Sequence, residues 1–124
     1  MMVAKAMVVA GVMSGTSADG VDVAFCRVSP GLDGGSPRVK VLGHRAFGYA
    51  KKLRAEVLKV AGAREAEVLS TAEMARLNWR LGEVYASCVE RAGEELGLKA
   101  ELVACHGQTV YHQSMGAKYL GSDV

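Results

Sequence analysis

The sequence predicts an α/β fold, a mixed sheet with helices packed on it. Three observations carry this. Three strand-patterned runs come first, over 6–13, 21–29 and 38–48. A helix-periodic stretch over 70–96 follows them. A short strand-like run over 101–105, apolar from Leu102 on, then follows the helix. Consecutive strands joined by short turns pair antiparallel, whereas a strand reached through a helix adds parallel, beside the first one.

The first strand, Ala6 to Met13, carries no charge and is apolar on both faces. That pattern belongs to a central strand covered on both sides. The second strand, to Ser29, sets Val21, Val23 and Phe25 against Asp22, Ala24 and Cys26, and also reads as interior. Between them lies Ser14-Gly15-Thr16-Ser17-Ala18-Asp19-Gly20, a hairpin in which Asp19-Gly20 suits a tight turn with positive φ. Residues 30–37 hold Gly31, Gly34 and Gly35 between two prolines and read as a loop. The third strand mixes Lys40, His44 and Arg45 with Val39, Val41 and Phe47, as an edge strand does.

Lys51 to Ala61 is a short helix with Leu53, Val57, Leu58 and Val60 on one face, and Gly62 ends it. The long helix opens with Ser70 and Glu73, spaced as a capping box. Met74, Leu77, Leu81, Val84, Tyr85, Cys88, Val89, Ala92 and Leu96 then recur every three or four residues. Trp79 lies off this stripe, and Gly97 suits a left-handed cap. Leu102 to Cys105 reads as a buried strand, so His106-Gly107-Gln108-Thr109 falls at its carboxyl end, where open α/β sheets bind ligands. Residues 110–124 read as a further hairpin.

Composition narrows the class. The 124 residues are 50% hydrophobic and 23% charged, which suits a folded domain. A net charge of +2 argues for neither nucleic acid nor an anionic membrane surface. No apolar run approaches the roughly 20 residues of a membrane span. The three cysteines, Cys26, Cys88 and Cys105, lack a paired spacing and read as reduced thiols of a cytoplasmic protein. Cys105, His106 and His112 do not have the spacing of a zinc site.

The first hairpin carries more polar groups than a turn needs. Ser14, Thr16 and Ser17 offer hydroxyls, Gly15 and Gly20 admit close approach, and Asp19 and Asp22 add carboxylates. Amides and hydroxyls around a concavity suit a phosphate, and carboxylates beside it call for Mg²⁺, directly or through water. A turn rich in such residues for conformational reasons alone is the competing reading. Likewise His106, Gly107 and Gln108 suit either a ligand or a tight turn whose histidine satisfies backbone groups.

Two motifs bear on the choice. Val12-Met13-Ser14-Gly15-Thr16-Ser17-Ala18-Asp19-Gly20-Val21-Asp22 resembles the amino-terminal signature of the anhydro-N-acetylmuramic acid kinases. Ala104-Cys105-His106-Gly107-Gln108-Thr109-Val110-Tyr111-His112 resembles their second signature, and Asn78, Leu81, Gly82 and Glu83 are similar to the stretch between. The resemblance covers nearly the whole chain and implies a ribonuclease-H-like sheet, the amino-terminal portion of a two-domain actin-like ATPase fold. It implies that residues 12–22 form the first phosphate-binding hairpin, with Gly15, Thr16, Ser17, Ala18, Asp19, Gly20, Val21 and Asp22 on ATP and Asp19 and Asp22 toward Mg²⁺. It places His106, Gly107 and Gln108 on the sugar side. The implied reaction phosphorylates 1,6-anhydro-N-acetylmuramic acid while water opens the anhydro bridge, in recycling of the bacterial cell wall.

The sequence departs from that pattern in two respects. The carboxylate that activates water, the second phosphate loop and the adenosine pocket belong to later motifs, beyond residue 124, so no catalytic base is assigned here and the chain alone is expected to be inactive. Met13 stands where many relatives in the wider superfamily place a metal-linked aspartate. Another kinase or ATPase of that superfamily, a non-enzymatic nucleotide-binding module, and a homodimer of the full-length enzyme stay open.

Overall fold

The computed structural model describes residues 4–62 and 68–111. The elements run β1 (Met7–Ser14), β2 (Gly20–Ser29), a 3₁₀ turn (Leu32–Gly34), β3 (Arg38–Gly48), α1 (Lys51–Ala61), α2 (Thr71–Leu96) and β4 (Leu102–Gln108). They form one sheet in the order β3-β2-β1-β4. β1 pairs antiparallel with β2, β2 antiparallel with β3, and β1 parallel with β4. The mixed sheet, the interior place of β1 and β2 and the edge place of β3 are as the sequence implies.

One side of the sheet is covered by helix. Ala10 and Val12 of β1 align with Phe25 and Val23 of β2, so their side chains share a face. With Val21, Cys88 and Ala92 they form the main core cluster. Burying Phe25, the largest fully buried side chain, contributes about 3 kcal/mol in area terms. A second cluster joins Ala18, Val57, Leu77 and Leu81, and so ties both helices to the first turn.

The helix ends are built as the sequence reads. The Ser70 hydroxyl accepts from the Glu73 amide while the Glu73 carboxylate accepts from the Ser70 amide. Gly97 closes α2 in the left-handed conformation, its amide reaching Gly93 and Glu94. Of the stripe, Leu77, Leu81, Cys88 and Ala92 are buried, and Trp79 is exposed.

Four expectations need correction. β1 is not covered on both sides among the described residues: α2 lies on the Ala10 face, and Met13, on the other face, is 54% exposed. β4 is not buried: it forms an edge of the described sheet, and Leu102 is 53% exposed. His106, Gly107 and Gln108 lie within β4 rather than past its end. The positive φ of the turn between β1 and β2 falls not at Asp19-Gly20 but at Ala18, 53°, and the turn spans 15–19. The hairpin expected over 110–124 lies outside the described residues, apart from Val110 and Tyr111, which form no strand.

Candidate functional site

The turn over 15–19 is shaped by one hydrogen bond of its own, from the Ala18 amide to the Gly15 carbonyl at 3.0 Å. Ala18 directs its methyl inward, into the cluster with Val57, Leu77 and Leu81, which anchors the turn beneath the helices. Gly15, Thr16 and Ser17 stay exposed. No protein group among the described residues accepts from the Thr16 or Ser17 amide. At the far end of the turn the Asp19 carbonyl accepts from the Tyr49 amide at 3.0 Å, tying it to the chain leaving β3.

Gly20 stands against β3. A Cβ there would lie 2.0 Å from the Phe47 carbonyl oxygen, so only glycine lets the two strands close at this point. The result is an open concavity of about 360 Å³, lined by Gly15, Ser17, Asp19, Gly20, Val21, Asp22, Ala46, Phe47 and Gly48. Of the residues expected on phosphate, six therefore line one space. Ala18 is buried below it, and Thr16 stands exposed without forming its wall. The contribution of Ala46, Phe47 and Gly48 was not legible in the sequence, because strand pairing over 20–48 brings them there.

The two carboxylates differ in surroundings. Asp19 lies 3.5 Å from the Arg54 guanidinium of α1 and is largely exposed. Asp22 lies 3.0 Å from Nε2 of His44, its diagonal neighbour on β3. Among the described residues no three histidine, cysteine, aspartate or glutamate side chains converge as a metal cage. Asp19 and Asp22 both line the concavity, and Mg²⁺ is ordinarily held by one or two carboxylates, its own waters and phosphate oxygens.

Behind the turn lies a hydroxyl network. Ser14, the last residue of β1, is buried; its Oγ accepts from the Tyr49 hydroxyl at 2.7 Å and faces both Oε1 of Gln108 and, at 3.0 Å, the Gly20 carbonyl. The Tyr85 hydroxyl of α2 lies 3.3 Å from that of Tyr49. Burial, followed by the Tyr49 hydrogen bond, pushes the Tyr85 phenol well above its ordinary range. Tyr49 went unremarked in the sequence. The available signal was a tyrosine between a strand and a helix, whose hydroxyl needs a partner once half-buried.

The second motif meets the first through β4. Gln108 pairs with Ser14 and donates from Nε2 to the Gly15 carbonyl at 3.0 Å. Gly107, with φ 80°, forms a bulge beside it. His106 is exposed on the same strand. The structure thus brings Gln108 against the turn, leaving His106 open to solvent.

An antiparallel triplet, a parallel fourth strand, and a glycine-and-hydroxyl turn between the first two define a ribonuclease-H-like sheet of the kind that begins an actin-like ATPase. The comparisons sharpen this. The profile of the family described as anhydro-N-acetylmuramic acid kinase matches residues 7–121, and the chain belongs to that family. It is 41% identical over 117 residues to the anhydro-N-acetylmuramic acid kinase of Streptomyces avermitilis, covering 94% of this chain and 29% of that protein. With the protein of that name from Microcystis aeruginosa it shares 36% identity over 118 residues, 95% of this chain and 30% of the relative. The Francisella tularensis subsp. novicida protein of that name is 38% identical over 111 residues, 84% of this chain and 27% of the relative. The chain thus spans less than a third of the length of these relatives.

Proposed function

We propose that the protein carrying this chain is a kinase that transfers the γ-phosphoryl group of ATP to 1,6-anhydro-N-acetylmuramic acid. Water adds at C1, the C1–O6 bond breaks, and O6 takes the phosphoryl group. The products are ADP and N-acetylmuramic acid 6-phosphate, as recycling of cell-wall sugar requires. The chain contributes the first phosphate-binding lobe. One observation carries the reading: the turn is open, beside a concavity of about 360 Å³, with its Thr16 and Ser17 amides unclaimed by any described residue. A turn built only to reverse the chain needs neither the space nor the free donors.

The roles follow from chemistry. Gly15 permits close approach, and the amides and hydroxyls of Thr16 and Ser17 donate to phosphate oxygens. Gly20 and Val21 form the floor, and Ala18 fixes the shape of the turn. Asp19 and Asp22 hold Mg²⁺ directly or through water, and the ion neutralises phosphate charge. His106 and Gly107 face the sugar side. The base that takes the water's proton is assigned outside this chain, since phosphoryl transfer draws on groups from several sides. A cytoplasmic location accords with the three free thiols of Cys26, Cys88 and Cys105 and with the absence of a membrane-crossing helix among the described residues.

The test is ADP release by the protein from the complete open frame, with ATP, Mg²⁺ and a panel of sugars. Turnover confined to the anhydro sugar, with the 6-phosphate as product, is the expected result. Turnover of another sugar alone would replace the substrate with that one. No turnover of any sugar would overturn the kinase reading.

A further inference from the structure

The side chain of Gln108 is used up inside the protein. A primary amide offers two donor hydrogens and one carbonyl oxygen. Its Nε2 donates to the Gly15 carbonyl at 3.0 Å and to the Thr109 carbonyl at 3.1 Å. Its Oε1 faces the Ser14 hydroxyl and, at 3.3 Å, the Tyr49 hydroxyl. Neither donor is left for a ligand, and the acceptor points at protein.

The hydroxyls order themselves by a simple count, because each owns one hydrogen. With Tyr49 donating to Ser14, Tyr85 donates to Tyr49, and the single Ser14 hydrogen is shared between Oε1 of Gln108, the shorter contact, and the Gly20 carbonyl at 3.0 Å. Such a chain polarises along its length and is stiffer than its separate bonds. It starts on α2 and ends at the amide that grips the Gly15 carbonyl.

The bulge explains how Gln108 comes to be there. Val12 pairs with Cys105, so an unbroken register would set Ser14 against Gly107, which has no side chain. The bulge shifts the pairing by one residue, and Ser14 meets Gln108 instead. A one-residue shift moves a strand side chain to the opposite face of the sheet. Gly107, at φ 80°, supplies the conformation that L side chains resist.

We propose that Gln108 is a positioning residue, which braces the 15–19 turn from β4 and does not touch substrate. The proposal rests on the phosphate-site reading only for the identity of the ligand that the turn receives.

Hydrogen exchange, followed peptide by peptide in the complete gene product without ligand, tests the brace. Gln108→Met keeps length and bulk while deleting its donors and its acceptor. Exchange across 14–20 should accelerate about tenfold, the scale of one lost net hydrogen bond, while α2 keeps its rates. Tyr49→Phe removes one oxygen and should act in the same direction. It decides the matter should Gln108→Met loosen the whole domain. Unchanged exchange in the turn of a folded variant overturns the proposal. Kinetics then separate brace from ligand: a brace raises KM for ATP and leaves KM for the sugar alone, whereas a rise confined to the sugar overturns it. A wild-type protein without kinase activity would sink the phosphoryl-transfer reading, and the exchange result would still judge Gln108.

Discussion

The hydroxyl of Tyr49 sits 2.7 Å from the Oγ of Ser14, a serine only 3% exposed. This contact joins the chain between β3 and α1 to the end of β1, immediately before the turn. Removing the serine oxygen deprives the Gly20 carbonyl of its side-chain donor and leaves the Tyr49 hydroxyl and Oε1 of Gln108 only their long contact with each other, at 3.3 Å. An unmet buried polar group costs about 1–3 kcal/mol. Ser14→Ala should therefore lower stability by that amount, read as the shift of the urea unfolding midpoint at constant slope. A loss below about 0.5 kcal/mol, the scale of ordinary surface changes, would show that the contact is incidental.

Two glycines predict opposite outcomes for the same substitution. At Gly20 a Cβ meets the Phe47 carbonyl oxygen at 2.0 Å, and backbone cannot swing aside as a side chain does. Gly20→Ala should cost at least about 1–3 kcal/mol, as forced overpacking does, and should part β2 from β3 beside the concavity. At Gly82, exposed within α2, a Cβ meets nothing within 4 Å. Gly82→Ala should stabilise by about 0.5–1 kcal/mol through helix propensity. Thermal unfolding of both variants gives the two signs, and equal signs would contradict the placement of one glycine.

Periodicity and capping made most of this fold legible. α2 could be read from Ser70 and Glu73 to Gly97 because its caps and stripe are local signals. β3 showed its edge position through Lys40, His44 and Arg45. The turn was legible as polar and glycine-rich, but its detailed shape was not. Asp19-Gly20 has the better local preference for positive φ, yet Ala18 adopts it, because its methyl completes the cluster with Val57, Leu77 and Leu81. Tertiary packing overrode a turn preference there. The bulge at Gly107 was hidden for a related reason: pairing register is a property of two strands. The exposure of β4 was misread because an apolar run marks a strand without showing which of its edges and faces are covered.

The start of α2 predicts a pH response. The Glu73 carboxyl is held at about 2, against an ordinary 4.5, first by the Ser70 amide and then by Lys59 at 3.0 Å. A depressed carboxylate stabilises the fold above its unfolded pKa, and the contribution fades as pH falls toward the folded one. The loss therefore lies between about pH 4.5 and 2. Helical circular dichroism against pH should show α2 weakening in that window, and Glu73→Gln should flatten the response. The amide contribution should survive added salt and the Lys59 contribution should shrink, because exposed charges are screened. A profile identical in the wild type and Glu73→Gln would mean that other carboxylates set the acid limb.

Tyr85 makes the complementary prediction at alkaline pH. Its phenol is pushed well above the ordinary range, by burial first and then by the Tyr49 hydrogen bond, which favours the protonated donor. A folded pKa above the unfolded one means a contribution fully present below the unfolded value and lost as pH rises through the folded one. Tyrosinate absorbance should accordingly show a late step, a phenol titrating above the ordinary range, joined by alkaline unfolding. Tyr49→Phe removes the acceptor and should bring that late step down, without restoring it fully, because burial remains. Tyr85→Phe should abolish the step. A late step that persists in Tyr85→Phe would belong to another tyrosine, and the direction of the hydroxyl chain from α2 toward the turn would then be wrong.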